Sequence, residues 1–245
     1  IDSFFMSNFI RDIKEKYGKD FYVFGEFWNP DKDANLDYLE KIEERFDLVD
    51  VRLHMNLFEA SQAGADYDLR TIFNDSLVQV KADKAVTFVE NHDTQRGQAL
   101  ESTVEEWFKP AAYALILLRE QGLPCVFYGD YYGISGQYAQ QDFKEVLDHL
   151  LAIRKDLAYG EQTDYFDDPN CIGWVRSGAD NQSPLAILIS NAQQNYKTMF
   201  VGPEWAEQTF VDLLGNHSDQ VTINSDGYGD FPVAERSLSV WGLAN

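Results

Sequence analysis

Residues 86–95 constrain the fold more than any other stretch of this chain, because an apolar run turns there into a polar one. Residues 85–89 are mostly apolar or β-branched, the pattern of a strand that is buried on both faces. The polar residues that follow at once are Glu90, Asn91, His92, Asp93 and Thr94. In parallel α/β folds, side chains at the carboxyl ends of the strands form the active site. The stretch therefore predicts such a sheet, with chemistry at one edge.

A second stretch has the same form. Residues 21–28 are hydrophobic and aromatic apart from Gly25 and Glu26, and Glu26 is followed by Phe27 and Trp28. Strands that both deliver a carboxylate at the same edge predict a site that contains Glu26 and Asp93. The local pattern alone leaves two alternatives open, which are a solvated loop residue for Glu26 and a structural His-Asp pair at the second strand end.

The remaining periodicity predicts alternating strands and helices, followed by a β-rich region. Strands are expected at 21–27, 48–54, 85–93 and 125–129, and helices at 3–17, 36–46, 111–120 and 143–154. Ser102 and Glu105 have the spacing of a helix capping box. Short strand-like runs with turn signals follow at 172–176, 185–190, 198–201, 209–213, 221–223 and 237–241. We therefore divide the chain into an α/β part, 1–162, and an antiparallel β-domain, 163–245.

Composition narrows the partners and the metal chemistry. The chain has 20 Lys and Arg against 41 Asp and Glu, a formal net charge of −21, which argues against nucleic acid and anionic membranes as partners. Cys125 and Cys171 lie in predicted strands and are expected to be buried core thiols rather than a disulfide or a metal site. No apolar run reaches the roughly 18 residues of a transmembrane helix.

At this point the motifs resemble a known family. Residues 88–93, Phe-Val-Glu-Asn-His-Asp, preceded by Gly-Glu-Phe-Trp at 25–28, resemble the retaining α-amylase family of glycoside hydrolases. The segments 101–117, 126–130 and 237–241 are similar to its bacterial liquefying members, and 167–172 and 214–217 look closest to its cytoplasmic bacterial members. Asn-His-Asp alone is weak evidence, whereas several motifs in the family's order and spacing are specific.

The resemblance implies a fold and a catalytic set. The family has a (β/α)8 barrel with a C-terminal antiparallel β-sandwich domain, so the predicted strands correspond to strands five to eight, the C-terminal half of the barrel. Glu26 matches the general acid/base, and Asp93 matches the carboxylate that stabilises the transition state. The nucleophile follows strand four in the family. Because residues 1–5 resemble what comes after that segment, the nucleophile is expected upstream of Ile1.

The reaction explains these residue types. Cleavage with retention needs an acid that protonates the leaving oxygen and a carboxylate that attacks the anomeric carbon, with the two carboxyl groups about 5–5.5 Å apart. Phe24, Phe27 and Trp28 are expected to exclude water from Glu26 and favour its protonated form, while Asp93 stays ionised. Sugar hydroxyls and pyranose faces are expected to contact the remaining site residues, which are Asn91, His92, Trp28, Phe27, Gln95 and Tyr128. For Trp28, packing on the barrel rim is the alternative.

The resemblance also bears on calcium. Secreted liquefying members hold a further calcium between barrel and β-domain, with carbonyls and two Asp side chains as ligands. The matching positions here are Asn170 and Asn191, and a neutral amide is a poorer ligand for a hard cation than a carboxylate. We expect no metal in these residues, and calcium in the full-length enzyme mostly in its first half. A cytoplasmic location is expected, although secreted relatives exist.

These observations favour endo-hydrolysis of α-1,4-glucosidic bonds in starch- or glycogen-type glucans. The expected partners are an α-glucan and the N-terminal half of the same enzyme. This chain alone is expected to be inactive, because double displacement needs the nucleophile. The alternatives are a truncated chain that at most binds glucan and a transglycosylase on the same scaffold.

Overall fold

The computed structural model describes residues 2–179 and 182–244, so Ile1 lies outside the described residues. The first part of the chain forms a parallel sheet whose strands lie in chain order. The strands are β1 (Phe24–Gly25), β2 (Asp47–Val49), β3 (Ala85–Phe88) and β4 (Leu123–Cys125). The helices are α1 (Ser3–Tyr17), α2 (Lys32–Lys41), α3 (Val51–Ala63), α4 (Leu77–Val80), α5 (Lys109–Leu117), α6 (Tyr128–Tyr132) and α7 (Lys144–Asp156).

The two faces of this sheet pack against different partners. Leu48, Ala85 and Val89 belong to the main core, where the helices cover the sheet. Val86 and Phe88 belong to a smaller apolar cluster on the other face. Because successive residues of a strand point to opposite faces, this alternation places both faces of β3 in apolar surroundings. The continuous apolar run of β3 follows from that burial.

The second part of the chain is an antiparallel β-sandwich. One sheet has the order β10-β9-β12-β7-β6-β5, and the other pairs β11 with β8. The strands are β5 (Gln162–Asp168), β6 (Cys171–Arg176), β7 (Leu185–Ser190), β8 (Asn195–Phe200), β9 (Thr209–Asp212), β10 (Gln220–Thr222), β11 (Tyr228–Val233) and β12 (Leu238–Leu243). Phe210, Phe231 and Trp241 fill the core between the two sheets. The predicted α/β part followed by an antiparallel β-domain is confirmed.

Helix α5 joins the two parts. Trp174, Ile187 and Val240 on the larger antiparallel sheet share the main core with this helix. Every residue of α5 except Pro110 is buried. A helix that is covered on all sides loses its amphipathic pattern, which explains the nearly continuous apolar sequence of 111–118.

Several predicted elements end earlier than expected. The strand predicted at 48–54 ends at Val49, and α3 begins at Val51 because the Asp50 carboxylate accepts the Leu53 N–H at 3.0 Å as a helix cap. The strand predicted at 125–129 ends at Cys125, before α6.

The predicted capping box is wrong, because α5 begins at Lys109 and the Ser102 hydroxyl instead contacts His54. Cys171 is buried, but Cys125 is exposed, which corrects the second thiol assignment. Cys125 pairs with Phe88 in register on β4, which is the outer strand of this sheet among residues 2–179 and 182–244. No helix in the described part of the chain is long and apolar enough to cross a membrane.

Candidate active site

Glu26 and Asp93 lie at one edge of the parallel sheet. Glu26 directly follows β1, and Asp93 follows β3 after a short polar turn. Strand β2 lies between β1 and β3 and runs parallel to both. The carboxyl ends of β1 and β3 therefore lie at the same edge of the sheet. This is the edge at which the strand-to-polar pattern predicts the site.

Gly25 is required by the close approach of a ring. A Cβ atom at this position would lie 2.5 Å from Cε2 of Phe46, closer than non-bonded carbons approach. A side chain at position 25 would force the Phe46 ring to shift, so glycine before Glu26 lets the backbone of β1 lie against this ring without strain.

The aromatic neighbours of Glu26 are arranged differently from expectation. Phe27 stacks on Tyr38 with ring centroids 4.4 Å apart, on the helix side of the sheet, and so the structure does not bring it to Glu26. Its stacking on Tyr38 therefore directs the Phe27 ring toward α2 rather than toward Asp93. Glu26 and Phe24 are both exposed, so the expected shielding of Glu26 is not observed within this chain.

Trp28 is half-buried against the inner face of the sheet. Its ring centroid lies 6.1 Å from that of His54 and 6.2 Å from that of Phe88. The ring therefore packs between the ends of β1 and β3, the two strands that carry the predicted catalytic carboxylates. This packing gives Trp28 a structural role at the edge as well as the predicted sugar contact.

Asn91 shapes the turn that presents Asp93. Its side-chain oxygen accepts the backbone N–H groups of Asp93 at 2.9 Å and Thr94 at 3.0 Å, while the Thr94 hydroxyl oxygen accepts the Asn91 N–H at 3.0 Å. Asn91 keeps only its amide N–H groups for a ligand, because its oxygen is engaged. His92 is exposed, and its Nε2 lies 3.7 Å from an Asp93 carboxylate oxygen.

The other predicted contact residues lie nearby in the chain or on the adjacent strand. Gln95 is half-buried, and its backbone N–H donates to the Asn91 carbonyl at 3.3 Å. Tyr128 begins α6 just beyond β4, and its side chain is 72% exposed, with its ring 4.6 Å from that of Tyr132. Tyr128 therefore offers an open aromatic face beyond the carboxyl end of the strand next to β3.

His54 supports the turn from below, which gives specific contacts to a histidine that the sequence indicates only as structural. It is fully buried, with Nδ1 2.7 Å from the Val89 carbonyl oxygen and Nε2 2.7 Å from the Ser102 hydroxyl. Burial lowers its pKa to about 4. The Val89 carbonyl can only accept, so the neutral ring carries its proton on Nδ1, and Nε2 contacts the Ser102 hydroxyl, which also lies 2.9 Å from the Leu100 carbonyl oxygen. His54 thereby links the residues on both sides of the turn.

Glu90 is a buried residue beside the turn whose role the sequence reasoning missed. Its carboxylate is buried, and Oε1 accepts the Val104 N–H at 2.7 Å and lies 3.2 Å from the Lys109 ammonium. Burial raises the pKa of Glu90 to about 7, against the opposing effect of Lys109, and the nearby Asp130 also raises it. In the sequence its only signal is an acid inside the polar run, which does not tell a buried group from an exposed one.

The positions matched to a calcium site in the resemblance do not fit a metal. The Asn191 amide donates to the carbonyls of Gly64 at 2.7 Å and Tyr67 at 2.8 Å. The Asn170 amide donates to the Asn191 side-chain oxygen at 2.9 Å and to the Ala65 carbonyl at 2.8 Å. N–H donors therefore engage the oxygens that a calcium ion would need. Among residues 2–179 and 182–244, no cluster of three or more His, Cys, Asp or Glu is placed to hold a metal.

A parallel βα sheet with a glutamate and an aspartate at its carboxyl edge, beside exposed aromatic rings, is an arrangement suited to a barrel glycoside hydrolase. Comparison with family models identifies the glycoside hydrolase family to which the chain belongs. Residues 2–204 match the alpha amylase catalytic domain, and residues 185–242 match the alpha-amylase C-terminal domain. The chain belongs to the α-amylase family.

Individual relatives agree with this assignment. The chain is 46% identical over 239 residues to an alpha-amylase of Geobacillus stearothermophilus, covering 97% of this chain and 43% of the relative. It is 40% identical over 250 residues to the cytoplasmic alpha-amylase of Escherichia coli (strain K12), covering 98% and 50%. A solved Anoxybacillus alpha-amylase covers the whole chain with a TM-score of 0.71 at 20% identity, which supports the fold. The chain spans about half the length of the curated relatives it matches.

Proposed function

We propose that this chain supplies two of the three catalytic carboxylates of an endo-acting α-1,4-glucan hydrolase that works by retaining double displacement. The observation that carries the proposal is the common edge of the parallel sheet at which Glu26 and Asp93 both lie. The third carboxylate, the nucleophile, belongs to a segment before residue 1. Starch- or glycogen-type glucans are the proposed substrates.

Each residue then has a distinct task. Glu26 protonates the leaving glycosidic oxygen and later activates water. Asp93, held by the Asn91 turn, stabilises the positive charge that develops on the sugar ring. His92 is exposed beside Asp93 and donates to sugar hydroxyls, while Tyr128 supports a pyranose ring.

The exposed apolar side chains support the N-terminal half of the barrel as a partner. In α1 and in the segment that leads into β1, aromatic side chains are exposed to water, namely Phe5, Phe9, Phe21, Tyr22 and Phe24. At the opposite edge, Leu123 on β4 is exposed as well. Unpaired sheet edges next to exposed apolar side chains are unfavourable in a domain that stands alone, because they promote association with another chain. The first half of the barrel covers both edges and brings the nucleophile to Glu26, whether it is covalently joined or remains bound after a nick.

The partner proposal has a direct test. Native and denaturing mass measurements on the purified protein should find this half bound to an upstream segment. A stable soluble monomer of residues 1–245 alone would contradict it.

Substitution of Glu26 in the whole protein tests the catalytic assignment. Glu26→Gln keeps the size of the side chain but removes the transferable proton, and turnover on starch should fall at least ~10²-fold. Asp93→Asn should also lower turnover, through weaker charge stabilisation. On a substrate whose leaving group needs no protonation, Glu26→Gln should recover much of its first step and Asp93→Asn should not.

The outcomes separate the alternatives. Equal rescue of both variants would reverse or remove the assigned roles, and unchanged starch hydrolysis by Glu26→Gln would exclude that residue from the mechanism. A wild-type protein that binds glucan without cleaving it would support the inactive alternative. Products longer than the substrate would support transglycosylation.

Calcium and location complete the proposal. Calcium binds the whole enzyme mainly through the first half of the barrel, since Asn170 and Asn191 do not suit it. A cytoplasmic location is supported by the relative from Escherichia coli that is named a cytoplasmic alpha-amylase. Metal analysis of the whole protein and cell fractionation test these two statements.

A further inference from the structure

A fully buried ammonium lies beneath the candidate active site. Lys109 is the first residue of α5, and its side chain is 0% exposed. Its Nζ forms an ion pair with Oδ1 of Asp130 and lies 3.2 Å from Oε1 of Glu90, both of which are also fully buried side chains. Buried lysines are rare, because removing the charge from water is costly unless partners compensate.

This ammonium connects two segments of the site that are far apart in the chain. Glu90 immediately precedes the Asn91–Asp93 turn beyond β3. Asp130 lies in α6, the helix that begins with Tyr128 beyond β4. One positive charge therefore holds the carboxyl ends of the two neighbouring strands together.

Further hydrogen bonds anchor both ends of the link. Asp130 accepts the Tyr113 hydroxyl and the Gln140 amide, each at 2.6 Å. Glu90 accepts the Val104 N–H at 2.7 Å. Each carboxylate is thus fixed to a second element besides Lys109, and a movement at one end would be transmitted to the other.

Stability alone is a weak explanation for this arrangement. Well-packed apolar side chains of similar volume often stabilise a core as well as a buried ion pair does. Oε2 of Glu90 is buried without a hydrogen-bond partner within the described structure, which is an additional cost. A network that retains such a cost next to a candidate catalytic turn is better explained by positioning.

We propose that Lys109 is a positioning residue, which fixes the turn that carries Asp93 relative to the edge that carries Tyr128. The inference rests on the proposed function, because it assigns Lys109 an effect on the reaction through Asp93. A displacement of about 1 Å at a catalytic group can reduce the rate about 10²-fold, so a rigid support beneath the turn has a measurable effect.

The test uses the whole protein and a matched lysine. Lys109→Met should lower kcat on starch at least ~10-fold while KM changes less than about threefold, because Asp93 acts mainly in the transition state. Lys197→Met is the control, since Lys197 is also buried and paired with an aspartate, Asp167, but lies in the β-domain. It should lower the melting temperature and leave kcat unchanged.

A second pair of variants covers the case in which Lys109→Met does not fold. Glu90→Gln keeps an oxygen that can accept from Lys109 and Val104, whereas Glu90→Leu keeps none. Glu90→Leu should lower kcat at least ~10-fold, and Glu90→Gln should recover at least about fivefold of that loss. All rates are compared at a temperature where circular dichroism shows each variant to be folded.

The outcomes distinguish the inference from the proposed function. Wild-type kcat in Lys109→Met or Glu90→Leu, with activity lost in Asp93→Asn, would overturn the positioning role alone. An equal loss of kcat in Lys197→Met would also overturn it, since the effect would then follow stability. Full activity in Asp93→Asn would instead remove the proposed function.

Discussion

The amide of Asn191 supports a sharp prediction about how the β-domain is attached. Asn191 is fully buried, and its Nδ2 donates to two main-chain carbonyls, those of Gly64 at 2.7 Å and Tyr67 at 2.8 Å. Asn191→Asp replaces this donor by a carboxylate oxygen that faces two other oxygens. Two hydrogen bonds are lost at about 1 kcal/mol each, and leaving the buried groups unsatisfied adds about 1–3 kcal/mol. The expected destabilisation is therefore about 3–5 kcal/mol.

The assay is thermal unfolding in the presence of a chelator. For a protein of this size, 1 kcal/mol corresponds to roughly 2–4 °C, so the melting temperature should fall by roughly 6–20 °C. Calcium should restore part of this loss in the variant, because a carboxylate beside carbonyl oxygens is a suitable ligand set for the ion. The same addition should not stabilise the wild-type protein through this position.

Asn224→Asp is the matched control in the same domain. The Asn224 side-chain oxygen accepts the N–H groups of Asp226 and Tyr228, each at 3.0 Å, and the residue is exposed. Aspartate keeps both acceptor bonds, so this variant should unfold within about 0.5 kcal/mol of the wild type. The reasoning would be refuted if Asn191→Asp were as stable as the wild type in the presence of chelator. It would also be refuted if calcium raised the melting temperature of the wild type and this increase disappeared in Asn191→Ala.

Two further predictions concern the support of the candidate site. The pKa of Glu90 is raised from 4.5 to about 7, so its contribution to stability is lost as pH rises through this window. The pKa of His54 is lowered from 6.5 to about 4, so its contribution to stability is lost as pH falls through that window. In urea unfolding, Glu90→Gln should therefore gain stability relative to wild type as pH rises from 4.5 to 7, and a difference that stays constant over this range would contradict the burial effect. Gly25→Ala should lower the free energy of unfolding by about 1–3 kcal/mol and lower kcat, because the new Cβ would lie 2.5 Å from Phe46. The control is Gly215→Ala, whose Cβ meets no neighbouring atom within 4 Å, so this variant should show only the cost of its positive φ. Equal effects of the two alanines on kcat would exclude the Phe46 contact as the cause.

Local sequence determined the elements whose signals lie within them. The helix predicted at 3–17 is observed as Ser3–Tyr17 with Gly18 at its end, and the strand predicted at 185–190 is observed as Leu185–Ser190. The change from apolar to polar residues also located Glu26 and Asp93 at the carboxyl edge of the sheet. Periodicity, helix stops and strand ends depend on nearby residues, which is why one sequence suffices to identify them.

Only the tertiary structure decided which polar groups support the site. Lys109 meets Glu90 and Asp130, which are 19 and 21 residues away from it in the chain. Asn191 reaches Gly64 across 127 residues. Such partners share no local pattern, since their contact follows from how the sheets and helices pack. The face that Phe27 occupies was likewise settled by its stacking on Tyr38, because a short aromatic run does not specify which of its members points to the core.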